Sequence, residues 1–209
     1  MIRFFNWFVK ITGWLPQLLV FCTKVFYENK QKQSRIIKGP AIIVSNHTSV
    51  WDYAIYVFVF FFRTLRFQMA EVLFKKKVLG LFLKMMGGIY VNRDTKDLSF
   101  TDKSNEILRK GGVVGVFPES RLPLPEETRP IEFKPSAVNL ALLSEAKIIP
   151  VYTNGLYFTK KRARVMIGEP INVLDYYDEA LSEKENVNAI TKLLREKIID
   201  LGKKLDEQK

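Results

Sequence analysis

From Lys38 onward the chain alternates short apolar, β-branched runs with amphipathic stretches of helical period, and that alternation restricts its fold more than any other feature. Residues 41–45, 66–70, 88–92, 113–117, 148–152 and 163–167 read as strands. Between them, residues 53–62, 71–86, 98–108 and 135–144 read as helices, the second interrupted near Leu79 and Gly80. A last helix carries Val187, Ile190, Leu194, Ile198, Leu201 and Leu205 on one face. Strands alternating with helices imply an α/β fold, a single domain with a mixed, largely parallel sheet covered by helices. At 209 residues and 47% hydrophobic, with no repeat and no long linker, the chain can bury one large core.

The N-terminus differs from the rest. Residues 2–9 and 11–21 are two aromatic-rich apolar pieces separated by Lys10, with Trp7, Trp14 and a breaking Pro16. The uncharged stretch 11–23 is short for a membrane span, which takes roughly 20 residues. The pieces read as an amphipathic, hydrophobic helical pair in residues 1–32, lying in a membrane interface or packed on the core, ahead of a domain over residues 33–209. No small-x-small site follows the apolar run, which argues against a cleaved signal peptide.

A net charge of +11 points to anionic partners. One Cys and one His leave no internal disulfide and no cysteine or histidine cluster, so neither a metal nor another cofactor is expected. Nucleic acid is a poor fit, because no recognition motif is present and the aromatics cluster in apolar runs instead of alternating with basic residues.

The single histidine, His47, lies in a polar turn after the 41–45 strand, five residues before Asp52. Positions five apart do not share a helix face, so the two can meet only across a turn leading into a helix. A carboxylate on one ring nitrogen fixes the imidazole tautomer and leaves the other nitrogen to take a proton from a hydroxyl. The same spacing also suits a purely local role, with Ser49 as helix cap and Asp52 as the acid three residues on. Two other strand ends carry charge: Asn92 and Arg93 after Gly87-Gly88, and Glu119, Ser120 and Arg121 after Phe117-Pro118. Active sites of such sheets gather at strand C-termini, so a base, an acid and two guanidinium groups would share one mouth, and the arginine fork matches phosphate.

The block Asn46-His47-Thr48-Ser49-Val50-Trp51-Asp52, the block from Gly87 to Arg93, Phe117-Pro118-Glu119 and Ile149-Pro150-Val151 resemble, in order and approximate spacing, the four motifs of the glycerolipid acyltransferases. Within that family they are most similar to lysophosphatidic acid acyltransferases, over about residues 40–170. The resemblance implies transfer of an acyl group from a thioester, acyl-CoA or acyl carrier protein, to the free sn-2 hydroxyl of lysophosphatidic acid, giving phosphatidic acid. It makes His47 the general base and Asp52 its orienter, with no acyl-enzyme. Arg93 would hold the glycerol phosphate, Glu119 would position the acceptor, and Arg121 would add a phosphate contact. Asn46 and Ser120 would belong to the substrate site, and Pro150 would shape the donor side.

This chain departs from the third motif, commonly Phe-Pro-Glu-Gly-Thr-Arg-Ser: Ser120 stands where the glycine does, and Arg121 comes one residue early. Arg129 or Lys134 is then an alternative to Arg121. A family member with this substrate would sit peripherally or monotopically on the cytoplasmic face of the cell membrane, touching membrane lipids through its N-terminus and basic residues such as Lys24, Lys30, Lys32, Arg63 and Lys75–Lys77. A different phosphorylated acceptor, or a non-catalytic membrane-binding relative, is the competing expectation.

Overall fold

The computed structural model describes residues 1–92, 99–158 and 162–208. Among them seven strands form one sheet: β1 (Lys24–Tyr27), β2 (Ala41–Ser45), β3 (Leu65–Ala70), β4 (Ile89–Val91), β5 (Val113–Val116), β6 (Lys147–Thr153) and β7 (Arg164–Ile167), in the spatial order β1-β7-β6-β2-β5-β3-β4. Strands β2 to β6 are parallel, β7 runs antiparallel to β6, and β1 lies parallel to β7 at the edge. The expected α/β architecture is therefore present. β1 is an addition to it, because four residues beside a longer apolar stretch carry no period of their own.

Strand β2 is fully buried because both faces are covered. Ile42 and Val44 pack into the core under helices α5 (Ser99–Arg109), α6 (Ser136–Ser144) and α7 (Glu183–Glu207). Ala41 and Ile43 pack into the opposite core, under α1 (Ile2–Phe21) and α2 (Asp52–Val59). The predicted stripe of α7 is buried along its whole length, and Ser182 with Glu185 caps the helix reciprocally.

The segment after β3 breaks one turn earlier than its glycine suggests. Lys76 is extended and separates α3 (Glu71–Lys75) from α4 (Lys77–Met86). Gly80 lies inside α4, where a Cβ would come within 2.3 Å of the Phe74 carbonyl oxygen, so this glycine permits close approach of two helices and breaks neither.

The two apolar N-terminal pieces form one helix, with Pro16 inside α1. A proline removes only its own N–H from the ladder, and the bonds on either side carry the helix through. This helix is inverted relative to a surface helix of a soluble protein. Its polar residues Asn6 and Lys10 are 1% and 2% exposed, whereas Phe4 and Leu19 are 78% and 75% exposed, with Phe8, Ile11, Trp14 and Leu15 between them also facing outward. Asn6 donates to the Met86 carbonyl at 2.9 Å, and the Lys10 ammonium donates to the carbonyls of Phe61 and Arg63 at 2.7 and 2.6 Å. Burial lowers the Lys10 pKa to about 8. Polar groups thus fasten α1 to the segment after α2 and to the end of α4, while Phe4, Phe8, Ile11, Leu15 and Leu19 stay exposed along its apolar face.

Candidate active site

Strand β2 is the middle strand of the seven, between β6 and β5, and the chain leaves its C-terminal end as Asn46 and His47. Asn46 is buried and bridges to the end of β6: its side-chain nitrogen donates to the Thr153 carbonyl and its oxygen accepts from the Thr153 N–H, both at 2.9 Å. Both ends of this amide are occupied by backbone, which makes Asn46 a strut between two strand ends rather than a free substrate ligand.

The turn 47–52 then folds back as its spacing requires. His47 Nδ1 lies 2.8 Å from Asp52 Oδ2, and the same oxygen accepts from the backbone N–H groups of Thr48 and Ser49 at 2.7 and 2.9 Å. Oδ1 accepts from the Thr48 and Tyr157 hydroxyls at 2.8 and 2.6 Å. Asp52 is 0% exposed, so five donors satisfy a carboxylate that would be costly to bury alone. The local and the orienting roles of Asp52 therefore coexist on one oxygen. Ser49 does not cap α2, which begins after Trp51; its hydroxyl accepts from the Trp51 N–H at 3.2 Å.

Two more contacts immobilise His47. Its ring stacks on Phe117, with centroids 4.2 Å apart and 14° between planes. Its backbone N–H donates to Glu119 Oε1 at 2.7 Å. Glu119 is itself buried, and its other oxygen accepts from the Ile131 N–H at 3.1 Å. Burial raises its pKa, opposed by these two backbone bonds. Glu119 thus holds the His47 turn and the 131 loop together from beneath. With Nδ1 engaged, His47 Nε2 has no partner among the described residues, and the side chain keeps 19% exposure.

That edge of the imidazole opens on a cavity of about 350 Å³ whose walls are largely apolar: Trp51, Met69, Leu73, Leu79 and Leu83, together with Phe117. Ser120 also lines it, and the Tyr53 hydroxyl is buried there with no partner among the described residues.

The other expected residues fall as follows. Arg93 lies outside the described residues. Arg121 is on an exposed loop with its guanidinium held by the Glu127 carboxylate at 2.7 and 2.5 Å, so it is already neutralised. Its alternatives, Arg129 and Lys134, are exposed. Pro150 is buried within β6 opposite Val44 and lines the sheet interior, not the cavity. Sequence reasoning assigned no role to Tyr157, which reaches Asp52 from the loop after β6 and carries no local signal, or to the ring of Phe117, which could have been noticed as the residue opening its motif.

Ser120 explains the altered third motif. Its φ is +62°, in the left-handed region where glycine is at home. A serine is thus held in a backbone conformation that glycine adopts without strain. Ser120→Gly should therefore raise stability by about 1 kcal/mol, read from the denaturant midpoint; a loss of stability would contradict the strain.

The acyltransferase family model matches residues 24–154. The 1-acyl-sn-glycerol-3-phosphate acyltransferase of Bacillus subtilis (strain 168) is 28% identical over 148 residues, 68% of this chain and 71% of that protein. The protein of the same name from Borreliella burgdorferi is 26% identical over 205 residues, 91% of this chain and 74% of its own. The crystal structure of PlsC, the 1-acyl-sn-glycerophosphate (LPA) acyltransferase from Thermotoga maritima, superposes with a TM-score of 0.65 at 20% identity, over 96% of this chain and 79% of that one, and so shares the fold. With the family's model matching well over half of this chain, the chain belongs to the acyltransferase family, and it is an acyltransferase.

Proposed function

We propose that the enzyme transfers an acyl group from a thioester, acyl-CoA or acyl carrier protein, directly to the free sn-2 hydroxyl of lysophosphatidic acid, with His47 as general base. The observation that carries this reading is the placement of His47 Nε2, unengaged, at the mouth of an apolar cavity while Asp52 holds Nδ1. The names of the relatives support the acceptor. The hydroxyl gives its proton to Nε2 as its oxygen bonds the thioester carbonyl carbon. The tetrahedral adduct then expels the thiolate, which takes the proton back from the imidazolium, so the ring ends as it began. Asp52 stabilises the transient imidazolium, and Phe117 and Glu119 keep the ring from turning. The apolar cavity suits the acyl chain. Arg93, two residues after β4 in the chain, is proposed as the phosphate ligand, a role Arg121 is less suited to while Glu127 holds it.

The enzyme is proposed to work on the membrane surface. Among the described residues no helix is long and apolar enough to cross a membrane. Yet the outward side chains of α1 would each gain roughly 1.5–3 kcal/mol on leaving water, on the order of 10 kcal/mol over the face, which an interfacial position supplies. Of the first 32 residues, α1 is the membrane-binding part, since residues 24–27 belong to the sheet.

A panel of acceptors tests the substrate. With one acyl-CoA, kcat/KM for lysophosphatidic acid should exceed that for lysophosphatidylcholine, whose phosphate is a choline-capped diester, and that for glycerol 3-phosphate, which lacks the chain, by on the order of 100-fold. Equal or better use of either alternative would overturn the assignment.

A further inference from the structure

A second cavity, of about 550 Å³, lies at the opposite end of the sheet from His47. It is bounded by residues that precede β3 and β5, by the first turn of α1 and by α5. Arg3, Arg63, Arg66, Lys103 and Lys110 line it against a single carboxylate, Glu106, which is paired to Lys110. Arg63 is structural, donating to the carbonyls of Ile37 and Gly111. Arg3, Arg66 and Lys103 have neither a hydrogen bond nor an ion pair among the described residues. Burial lowers the Arg63 pKa, and the charge of Arg3 beside it adds to that shift. Glu106, which also feels Arg66 and Lys103, is the one opposing charge among the described lining residues, so cations outnumber it five to one.

Clustered, unpaired guanidinium groups in a concave site call for a phosphate. The rim says where the phosphate comes from. Trp7 and Phe62 border the cavity and are 41% and 63% exposed, and Trp7 belongs to the outward face of α1. The other end of α1 reaches the active site, where Phe21 packs on Trp51 and Tyr157. One apolar helix face, about 30 Å long at 1.5 Å per residue, thus runs from the basic cavity to the catalytic mouth.

We infer that this cavity takes the phosphate headgroup of an anionic bilayer phospholipid, fixing the far end of α1 so that the active site is held against the leaflet. The inference rests on membrane docking through α1. No residue of the cavity belongs to the catalytic arrangement, so a lipid held here stands apart from the acceptor at His47.

Binding to phosphatidylcholine vesicles, alone and mixed with phosphatidylglycerol, tests it by flotation. Three proteins are compared: wild type, a cavity variant (Arg3→Gln, Arg66→Gln, Lys103→Gln) and a charge-matched control on exposed α7 positions (Lys184→Gln, Lys192→Gln, Lys203→Gln). With each cation near an anionic surface contributing about fivefold, the cavity variant should lose on the order of 100-fold in affinity for mixed vesicles. It should match wild type on neutral vesicles, which reports an intact fold and docked α1, and the control should lose far less. A cavity variant indistinguishable from the control overturns the site alone. Wild type that binds neither vesicle overturns the docking reading and the site with it. Titration with inorganic phosphate, followed by calorimetry without vesicles, supplies the other arm: no saturable heat is expected, and saturable binding by wild type but not by the cavity variant would assign the pocket to a soluble phosphate and overturn the lipid.

Discussion

Replacing Asp52 by Asn should lower kcat by about 10³–10⁴-fold, the scale on which removing the charge behind a catalytic histidine acts, and should leave the acceptor KM nearly unchanged. The three N–H donors at Oδ2 will keep the amide oxygen of the new side chain on their side, so the His47 ring stays in place. What disappears is the negative charge that stabilises the imidazolium formed when the hydroxyl is deprotonated. Tyr157→Phe supplies the graded comparison. It removes one of the five donors, the 2.6 Å bond to Oδ1, and should reduce kcat about tenfold. A kcat for Asp52→Asn within tenfold of wild type would show that His47 does not become charged in the rate-limiting step.

The second large effect is on the fold. Gly115 sits in β5 beneath the Phe67 ring, three of whose atoms would lie 2.3 to 2.4 Å from an added Cβ. Phe67 cannot retreat: it is fully buried, stacks on Tyr56 with centroids 6.0 Å apart, and meets Phe117 at 5.0 Å. Phe117 in turn carries the His47 ring. Gly115→Val should cost about 3 kcal/mol, the upper range for overpacking, and lower Tm by roughly 6–12 °C for a chain of this size. Activity should fall as well, because the strain is passed along one stack of rings to the base. Combining it with Phe67→Ala should restore part of the Tm, while strictly additive losses, measured calorimetrically, would mean that the ring is not what the side chain meets.

These effects show which features the sequence makes visible. The β2 strand, the α7 stripe and the meeting of His47 with Asp52 depend on local period and spacing, and they are found as read. The inverted α1 is written in its aromatic residues, but its single-helix form depends on Lys10 and Asn6 finding carbonyls at positions far along the chain. Tyr157 reaches Asp52 across 105 residues, and Glu119 reaches the His47 amide across 72; only the sheet order brings such partners together. Arg121 looked free because the pairing that occupies it, with Glu127, is a property of one loop conformation. The left-handed φ of Ser120 is hidden for the opposite reason, since only the glycine of the resembled motif, and not the serine itself, hints at it.

The most direct measurement is product formation by purified wild type and His47→Ala, given lysophosphatidic acid and an isotope-labelled acyl-CoA and followed by mass spectrometry. Wild type should yield labelled phosphatidic acid in step with released thiol, with no label on the protein. His47→Ala should form it at least about 10⁴-fold more slowly while still binding vesicles. Phosphatidic acid formed by His47→Ala at a rate near that of wild type, or an acylated protein in the wild-type reaction, would contradict direct transfer to a hydroxyl activated by His47.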